Sequence, residues 1–178
     1  MTQIRLAIFG ATMAMLGFGQ SAPPRKAPPL DINMPAGTSK PLSAYLGKTL
    51  LLAFLNYGCE HCQKFAGELN KIAREYRPRG VDVVGVVFEK DAKDHAALFH
   101  QRFAQDFPVG YSDETTVMNW LGQPLEQGYF VPIVAFVTRN GIIESQHMGD
   151  DIFFADPDKN IRLTLDKMLG KPRRATAK

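Results

Sequence analysis

Cysteine is scarce in this sequence, with two residues in 178, and this scarcity excludes several classes of protein. A small scaffold held together by several disulfides needs more cysteines. A closed zinc site needs four ligands, and the histidines supply no second ligand pair at zinc-finger or zinc-ribbon spacing. Charge is also nearly balanced: the formal net charge is +3, and no basic stripe interleaves with aromatic residues. We therefore expect no nucleic-acid partner.

The sequence contains no internal repeat and no apolar run that is clearly long enough to span a membrane. The apolar run near the N-terminus, residues 6–18, is shorter than the roughly 18–20 residues that a spanning helix needs. Arg5 precedes this run and small residues follow it, which is the pattern of a secretory signal peptide. We predict a signal peptide over residues 1–21. Cleavage after Gly19 and cleavage after Ser21 both stay open, and an uncleaved anchor is the alternative.

Both cysteines belong to one C-x-x-C motif, Cys59-Glu60-His61-Cys62. Residues 50–55 before it are all apolar and predict a strand that is buried on both faces. After it, apolar residues recur with helical spacing and predict one buried helix face: Cys62, Phe65, Ala66, Leu69, Ile72, Ala73 and Tyr76. The motif therefore lies at the first helical turn, where free N–H groups and the helix dipole stabilise an anion such as a thiolate. We predict that Cys59 is a nucleophile and Cys62 its resolving partner.

Two other interpretations of the motif stay open. The cysteines could be half of a metal site, although no second half is apparent. They could also form a structural disulfide, although closing so short a loop gains little chain entropy. Export would place the chain in a compartment where disulfides persist, and the context of the motif therefore favours redox chemistry.

The remaining pattern predicts a βαβ unit that is followed by a β-hairpin and a terminal helix. This order gives an α/β fold with a central mixed β-sheet and helices on both faces. We divide the chain into the signal peptide, a proline-rich linker over residues 22–29, a folded domain over residues 30–170 and a basic disordered tail over residues 171–178. The predicted elements are strands at 81–88, 133–137 and 142–148, and helices at 91–106, from Asp113 to Leu121, and from Pro157 to Gly170.

Three further stretches, together with the motif, resemble the thioredoxin fold. The stretches are residues 41–48, 103–109 and 131–141. More narrowly, the chain resembles exported thiol–disulfide oxidoreductases of the TlpA/ResA type, within the thioredoxin and AhpC-TSA superfamily. The resemblance implies that Pro132 is cis, that it faces Cys59, and that the backbone of Val131 pairs with an extended substrate strand. Tyr57 and Gly58, which directly precede the nucleophile, complete the predicted substrate-binding residues.

The sequence departs from this family in ways that bear on redox tuning. The family usually has Trp before the first cysteine and often has Pro before the second, whereas this chain has Gly58 and His61. The buried acid of thioredoxins corresponds to Ala53, so Glu89 is the nearest substitute as a proton acceptor; a solvated Glu89 is the open alternative. His61 favours the thiolate of the nucleophile and Glu60 disfavours it, so we expect an intermediate reduction potential.

The resemblance implies an exported thiol–disulfide oxidoreductase that exchanges disulfides with protein substrates, and we expect a reductant of specific substrates. A DsbA-like thiol oxidase is the first alternative, because His61 favours it while the sequence leaves little room for a helical insertion. A Cu(I) metallochaperone that uses the two cysteines, His147 and Met148 is the second. We predict no cofactor beyond the Cys59–Cys62 disulfide, no resident metal, a membrane-bound electron donor or acceptor, a monomer, and a periplasmic or other extracytoplasmic location.

Overall fold

The computed structural model describes residues 24–170, so the predicted signal peptide and basic tail lie outside the described residues. The described chain forms one mixed sheet in the order β1-β8-β7-β4-β5-β6-β2-β3. The strands are β1 (Arg25–Lys26), β2 (Asp31–Asn33), β3 (Ser39–Pro41), β4 (Thr49–Leu55), β5 (Val81–Val87), β6 (Val109–Tyr111), β7 (Ile133–Val137) and β8 (Ile142–His147). The helices are α1 (Glu60–Tyr76), α2 (Ala92–Phe103), α3 (Glu114–Leu121) and α4 (Pro157–Leu169). None of them combines the length and apolar character that crossing a membrane requires.

Strand β4 is the centre of the sheet. It pairs in parallel with β5 and antiparallel with β7, and all of its residues are buried. Alternate side chains along β4 enter two apolar cores, because successive strand residues point to opposite faces. Leu51, Ala53 and Leu55 pack in the core that holds α1, α2 and α4, whereas Leu50, Leu52 and Phe54 pack in the core that holds α3. The predicted α/β fold with a mixed sheet and helices on both faces is therefore confirmed.

Helix α1 buries the face that its sequence pattern predicts. All seven residues of the predicted stripe are buried, from Cys62 to Tyr76. A short loop at residues 56–59 connects β4 to the helix, and Cys59 at the end of this loop caps the first helical turn. This connection brings the cysteines to the carboxyl end of the central strand, where α/β proteins place their ligand sites.

The predicted proline-rich linker over residues 22–29 contributes to the sheet in its described part, which begins at residue 24. Arg25 and Lys26 pair with β8, opposite Ile143 and Ile142. The indole N–H of Trp120 donates to the Pro28 carbonyl oxygen at 3.0 Å. Such a segment has no core of its own, yet its free backbone groups can complete hydrogen bonds along a sheet edge. The folded domain therefore begins before residue 30 and includes Arg25.

Helix α2 is shorter than the predicted range of 91–106. It ends at Phe103, because Ala104 leaves the helical region with φ −125° and ψ 53°. The side chain of Asn70 on α1 holds the chain beyond this end: its amide donates to the Phe103 carbonyl at 2.8 Å and accepts from the Asp106 N–H at 3.0 Å. A side chain of α1 therefore fixes the chain just beyond the end of α2, and the periodicity within α2 carries no signal of this contact.

Candidate active site at the start of helix α1

Cys59 occupies the N-cap position of α1, with an extended backbone at φ −88° and ψ 110°. Its sulfur accepts a hydrogen bond from the Cys62 N–H at 3.1 Å, so an otherwise unpaired helix donor points at the Cys59 Sγ. Both cysteines are free thiols in this structure, and Cys59 is partly exposed. A thiolate at Cys59 would lie at the positive end of the helix dipole.

Cys62 is fully buried, with 0% of its surface exposed. Burial raises the pKa of the Cys62 thiol well above its usual value, and Cys59 and Glu89 raise the pKa further, against an opposing backbone hydrogen bond from Asn56. Cys62 is therefore a neutral thiol near pH 7, whereas Cys59 is accessible to a substrate. The two cysteines therefore differ in exposure and in the pKa of their thiols.

The loop before β7 faces the nucleophile. The Val131–Pro132 peptide bond is cis, and the Cys59 Sγ lies 3.9 Å from the Val131 carbonyl oxygen. Gly149 packs against the back of this loop, where its N–H donates to the Phe130 carbonyl at 3.0 Å. A Cβ at position 149 would lie 2.8 Å from the Val131 oxygen, so the loop position requires glycine there.

Hydrogen bonds hold the Glu89 side chain near the motif, whereas the sequence left open that Glu89 is a solvated residue. Its Oε1 accepts a hydrogen bond from the Tyr57 N–H and lies 3.1 Å from His95 Nδ1. The rings of Tyr57 and His95 stack with centroids 5.0 Å apart. The Gln63 amide also donates to the Tyr57 carbonyl at 2.9 Å. The loop before Cys59 is thus held from both sides, and Glu89 is one of its supports.

The other predicted site residues lie on the open side of the motif. Gly58, Glu60 and His61 are exposed. A Cβ at Gly58 would meet nothing within 4 Å, so the space beside Gly58 is open. His61 lines a cleft of about 620 Å³ that also borders Val131 and Pro132. The structure therefore brings all nine predicted site residues to one end of the sheet.

The ligands of the copper alternative do not form a cluster. Within residues 24–170, no group of three or more His, Cys, Asp and Glu side chains is arranged to bind a metal. His147 Nδ1 lies 2.7 Å from the Asp151 carboxylate, and its ring stacks on Phe153 with centroids 4.1 Å apart. His147 therefore has its own partners within the fold.

Solved structures with the same fold cover most of the chain. A protein from Chlorobium tepidum, provisionally named thiol:disulfide interchange protein DsbE, is 22% identical with a TM-score of 0.71, over 85% of this chain and 100% of that one. A thiol:disulfide interchange protein from Bacteroides sp. is 18% identical with a TM-score of 0.68, over 88% of this chain and 96% of that one. A thioredoxin family protein from Chlorobium tepidum TLS, named thiol:disulfide interchange protein, is 16% identical with a TM-score of 0.65, over 85% and 100%.

The fold and the cysteine pair define a thioredoxin-like thiol–disulfide oxidoreductase. The Redoxin family matches residues 19–161, which is most of the chain, and the chain belongs to this family. No curated protein sequence matches the chain. The predicted fold and enzyme class are thus confirmed.

Sequence reasoning missed three residues around the site. Gly149 follows β8 by two positions, and only its close approach to Val131 makes it important. His95 lies on an amphipathic helix, where a histidine carries no special signal. Glu68 lies two turns along α1 from the motif and lines the cleft. Helical spacing does place Glu68 near the face of Phe65, so periodicity offered a weak signal for this residue alone.

Proposed function

We propose that the chain is an exported thiol–disulfide oxidoreductase that exchanges disulfides with protein substrates through Cys59 and Cys62, and that it acts as a reductant. The observation that carries the proposal is the asymmetry of the pair. Cys59 is partly exposed at a helix N-cap, and buried Cys62 donates its backbone N–H to the Cys59 sulfur at 3.1 Å. The predicted signal peptide supports export, and the names of the similar thiol:disulfide interchange proteins support the substrate class.

The proposed reaction has two exchange steps. The Cys59 thiolate attacks one sulfur of a substrate disulfide, the substrate S–S bond breaks, and the second substrate sulfur leaves as a thiolate. Cys62 then loses its proton and attacks the Cys59 Sγ, which releases the first substrate sulfur and leaves a Cys59–Cys62 disulfide. The substrate gains two electrons and the pair loses two. A membrane-bound donor would return the pair to its dithiol form.

Surrounding residues have distinct proposed roles in these steps. Val131, before cis-Pro132, offers its backbone to an extended substrate strand beside Cys59, and Tyr57 and Gly58 border the same face. Glu60 and His61 tune the nucleophile by opposite charge effects. The negative charge of Glu89 acts on Cys62, and we assign Glu89 as the acceptor of the proton that Cys62 must lose.

The direction of the reaction rests on topology. Between β5 and β7 the chain forms α2, the short strand β6 within the sheet, and α3, so no helical domain is inserted there. This arrangement favours the TlpA/ResA type over a DsbA-like oxidase. His61 is the feature that favours the oxidase, which stays the second candidate.

Trapping the mixed disulfide tests the proposed exchange. Cys62→Ser should accumulate a covalent complex between Cys59 and a disulfide substrate, because the second step cannot occur. The double variant Cys59→Ser with Cys62→Ser is the matched control, and it should form no complex. The measurement is non-reducing electrophoresis with mass spectrometry after reaction with a disulfide-bonded protein. If Cys62→Ser traps no more substrate than the double variant does, the two-step exchange is wrong.

A further inference from the structure

The cleft beside Cys59 has features that the exchange chemistry alone does not require. Its walls are the outer side of α1, the loop at residues 130–132 and the segment at residues 149–157. The volume is about 620 Å³, which is enough for several side chains of a bound peptide. Because Val131 borders both the cleft and the nucleophile, a substrate strand at Val131 would extend along the cleft.

The mouth of the cleft carries two exposed apolar side chains. Phe130 is 63% exposed and Ile152 is 84% exposed, although most large apolar residues of the described chain are buried. Both residues belong to the cleft lining. Together with the rest of the lining, they give the cleft apolar surface that a bound partner would cover.

The wall of the cleft carries a carboxylate with one unpaired oxygen. Within the part of the chain that the structure describes, Glu68 Oε2 is buried and accepts no hydrogen bond. Burial raises the pKa of Glu68, and repulsion from Asp158 and Asp156 raises the pKa further, while Lys71 opposes this. Buried polar atoms are normally paired, so this carboxylate keeps an unused capacity to accept a hydrogen bond from a donor that enters the cleft.

The other charged residues of the cleft lining do not provide a hydrogen-bond donor to Glu68 Oε2. Asp151 is engaged by the His147 ring and by the Phe153 N–H at 2.9 Å. Asp150 is exposed and adds a further negative charge, while His61 and Lys64 are the basic residues of the lining. Carboxylates therefore outnumber the cations that are always charged, and the cleft favours a positively charged group.

We propose that this cleft binds the substrate polypeptide beside its reacting cysteine, and that it selects segments with an arginine or lysine near that cysteine. The cationic side chain donates to the Glu68 carboxylate, and an apolar neighbour packs on Phe130 and Ile152. The inference rests on the proposed function and names the substrate class of the same site. Charge-assisted hydrogen bonds are stronger than neutral ones, so the pairing would distinguish otherwise similar substrates.

Matched peptides test this selection. Each peptide carries one cysteine as a mixed disulfide with nitrothiobenzoate, and arginine, norleucine or glutamate stands within three residues on either side. Attack of Cys59 on the peptide sulfur breaks the S–S bond and releases coloured nitrothiobenzoate as the thiolate. Cys62 then displaces the peptide thiolate. We expect the arginine peptide to react about tenfold faster than the norleucine peptide, a difference of about 1.4 kcal/mol, and the glutamate peptide to react more slowly.

Two substitutions in α1 test whether Glu68 causes the preference for arginine. Glu68→Gln should abolish the preference for arginine, so that the arginine and norleucine peptides react at equal rates. Glu75→Gln is the matched control and should keep the preference, because Glu75 lies two turns further along α1 and pairs with Arg162. Should Glu68→Gln react poorly with every peptide, Glu68→Asp, which keeps the charge, should restore the preference at least in part.

The outcomes separate the two proposals. Equal rates with all three peptides, or an arginine preference that survives in Glu68→Gln, would overturn the role of the cleft while exchange through Cys59 still stands. Failure of Glu68→Asp to regain any preference for arginine would likewise overturn the role of the cleft and leave exchange through Cys59 standing. If none of the peptides reacts with the reduced wild-type chain, the proposed function itself fails, and the cleft proposal fails with it.

Discussion

Substitution of Gly149 by alanine should displace the loop that faces the nucleophile. The new Cβ would lie 2.8 Å from the Val131 carbonyl oxygen and 2.9 Å from the Val131 carbonyl carbon. Ordinary van der Waals contact begins at 3.4 Å, so these atoms must separate by about 0.6 Å. Both neighbours are backbone atoms, which cannot rotate away as a flexible side chain does. The Val131 carbonyl, at 3.9 Å from the Cys59 Sγ, is therefore the group that moves.

The expected magnitudes follow from this displacement. Overpacking of a tight site costs about 1–3 kcal/mol of unfolding free energy. A misplacement of about 1 Å at a reacting centre can cost about a hundredfold in rate, so half that shift should slow peptide exchange about tenfold. Alkylation of Cys59 by iodoacetamide should change by less than about twofold, because this small reagent needs no backbone pairing at Val131.

Gly67→Ala is the control for this experiment. Gly67 is exposed on α1, and a Cβ there would meet nothing within 4 Å. Alanine at this helix position should raise the unfolding free energy by about 0.5–1 kcal/mol and leave exchange unchanged. The assays are urea unfolding and stopped-flow exchange with a peptide disulfide. A Gly149→Ala variant with wild-type stability and a wild-type exchange rate would refute the role assigned to this contact.

Three other predictions concern titration, capping and redox tuning. Because the pKa of the Cys62 thiol is raised, release of product from the mixed disulfide should accelerate about tenfold per pH unit between about pH 7 and 9, and a flat profile would contradict this. The raised pKa of Cys62 also contributes to the free energy of unfolding at pH values below 9.0, which is the pKa of the thiol in the unfolded chain. This contribution should decline as the pH rises above 9.0. Asp113→Ala should lower the unfolding free energy by about 1 kcal/mol at pH 7, because Asp113 caps α3 by accepting from the Thr116 N–H at 2.8 Å. That loss should shrink as the pH falls below 3.8, because the hydrogen bonds from Thr116 lower the pKa of Asp113 and are lost when Asp113 is protonated. Equal urea midpoints for Asp113→Ala and wild type at pH 7 would argue against the cap. His61→Pro should lower the reduction potential by an amount on the order of 30 mV, and an unchanged redox titration would show that His61 does not tune Cys59.

The elements that sequence analysis predicted well are those with local signals. The buried run of β4 and the stripe of α1 each repeat within a few residues, and both elements form as predicted. The Asp113 cap and the hairpin turn at Asn140-Gly141 are likewise short-range patterns, and the structure contains both. Because the C-x-x-C motif lies between two such elements, its position at a helix start followed from sequence alone.

Contacts between distant residues account for what sequence analysis missed. Arg25 pairs with Ile143 across the sheet, and Gly149 touches Val131 only because β7 and β8 form a hairpin. Asn70 on α1 donates to the carbonyl of the last residue of α2. The local sequence around each of these residues shows no distinctive pattern, so the sequence alone does not predict these contacts. The cleft around Glu68 is a similar case, since three separate segments of the chain meet there.

A redox titration of the chain tests the proposed reducing direction and the exchange mechanism together. The chain would be equilibrated over a series of thiol–disulfide buffers, and the state of Cys59 and Cys62 would be read by alkylation and mass spectrometry. We expect one two-electron transition between the dithiol and an intramolecular disulfide, with a potential near or below about −250 mV. A transition near about −120 mV would contradict the reducing direction and favour an oxidase. A pair that never closes into a disulfide would contradict the exchange mechanism itself.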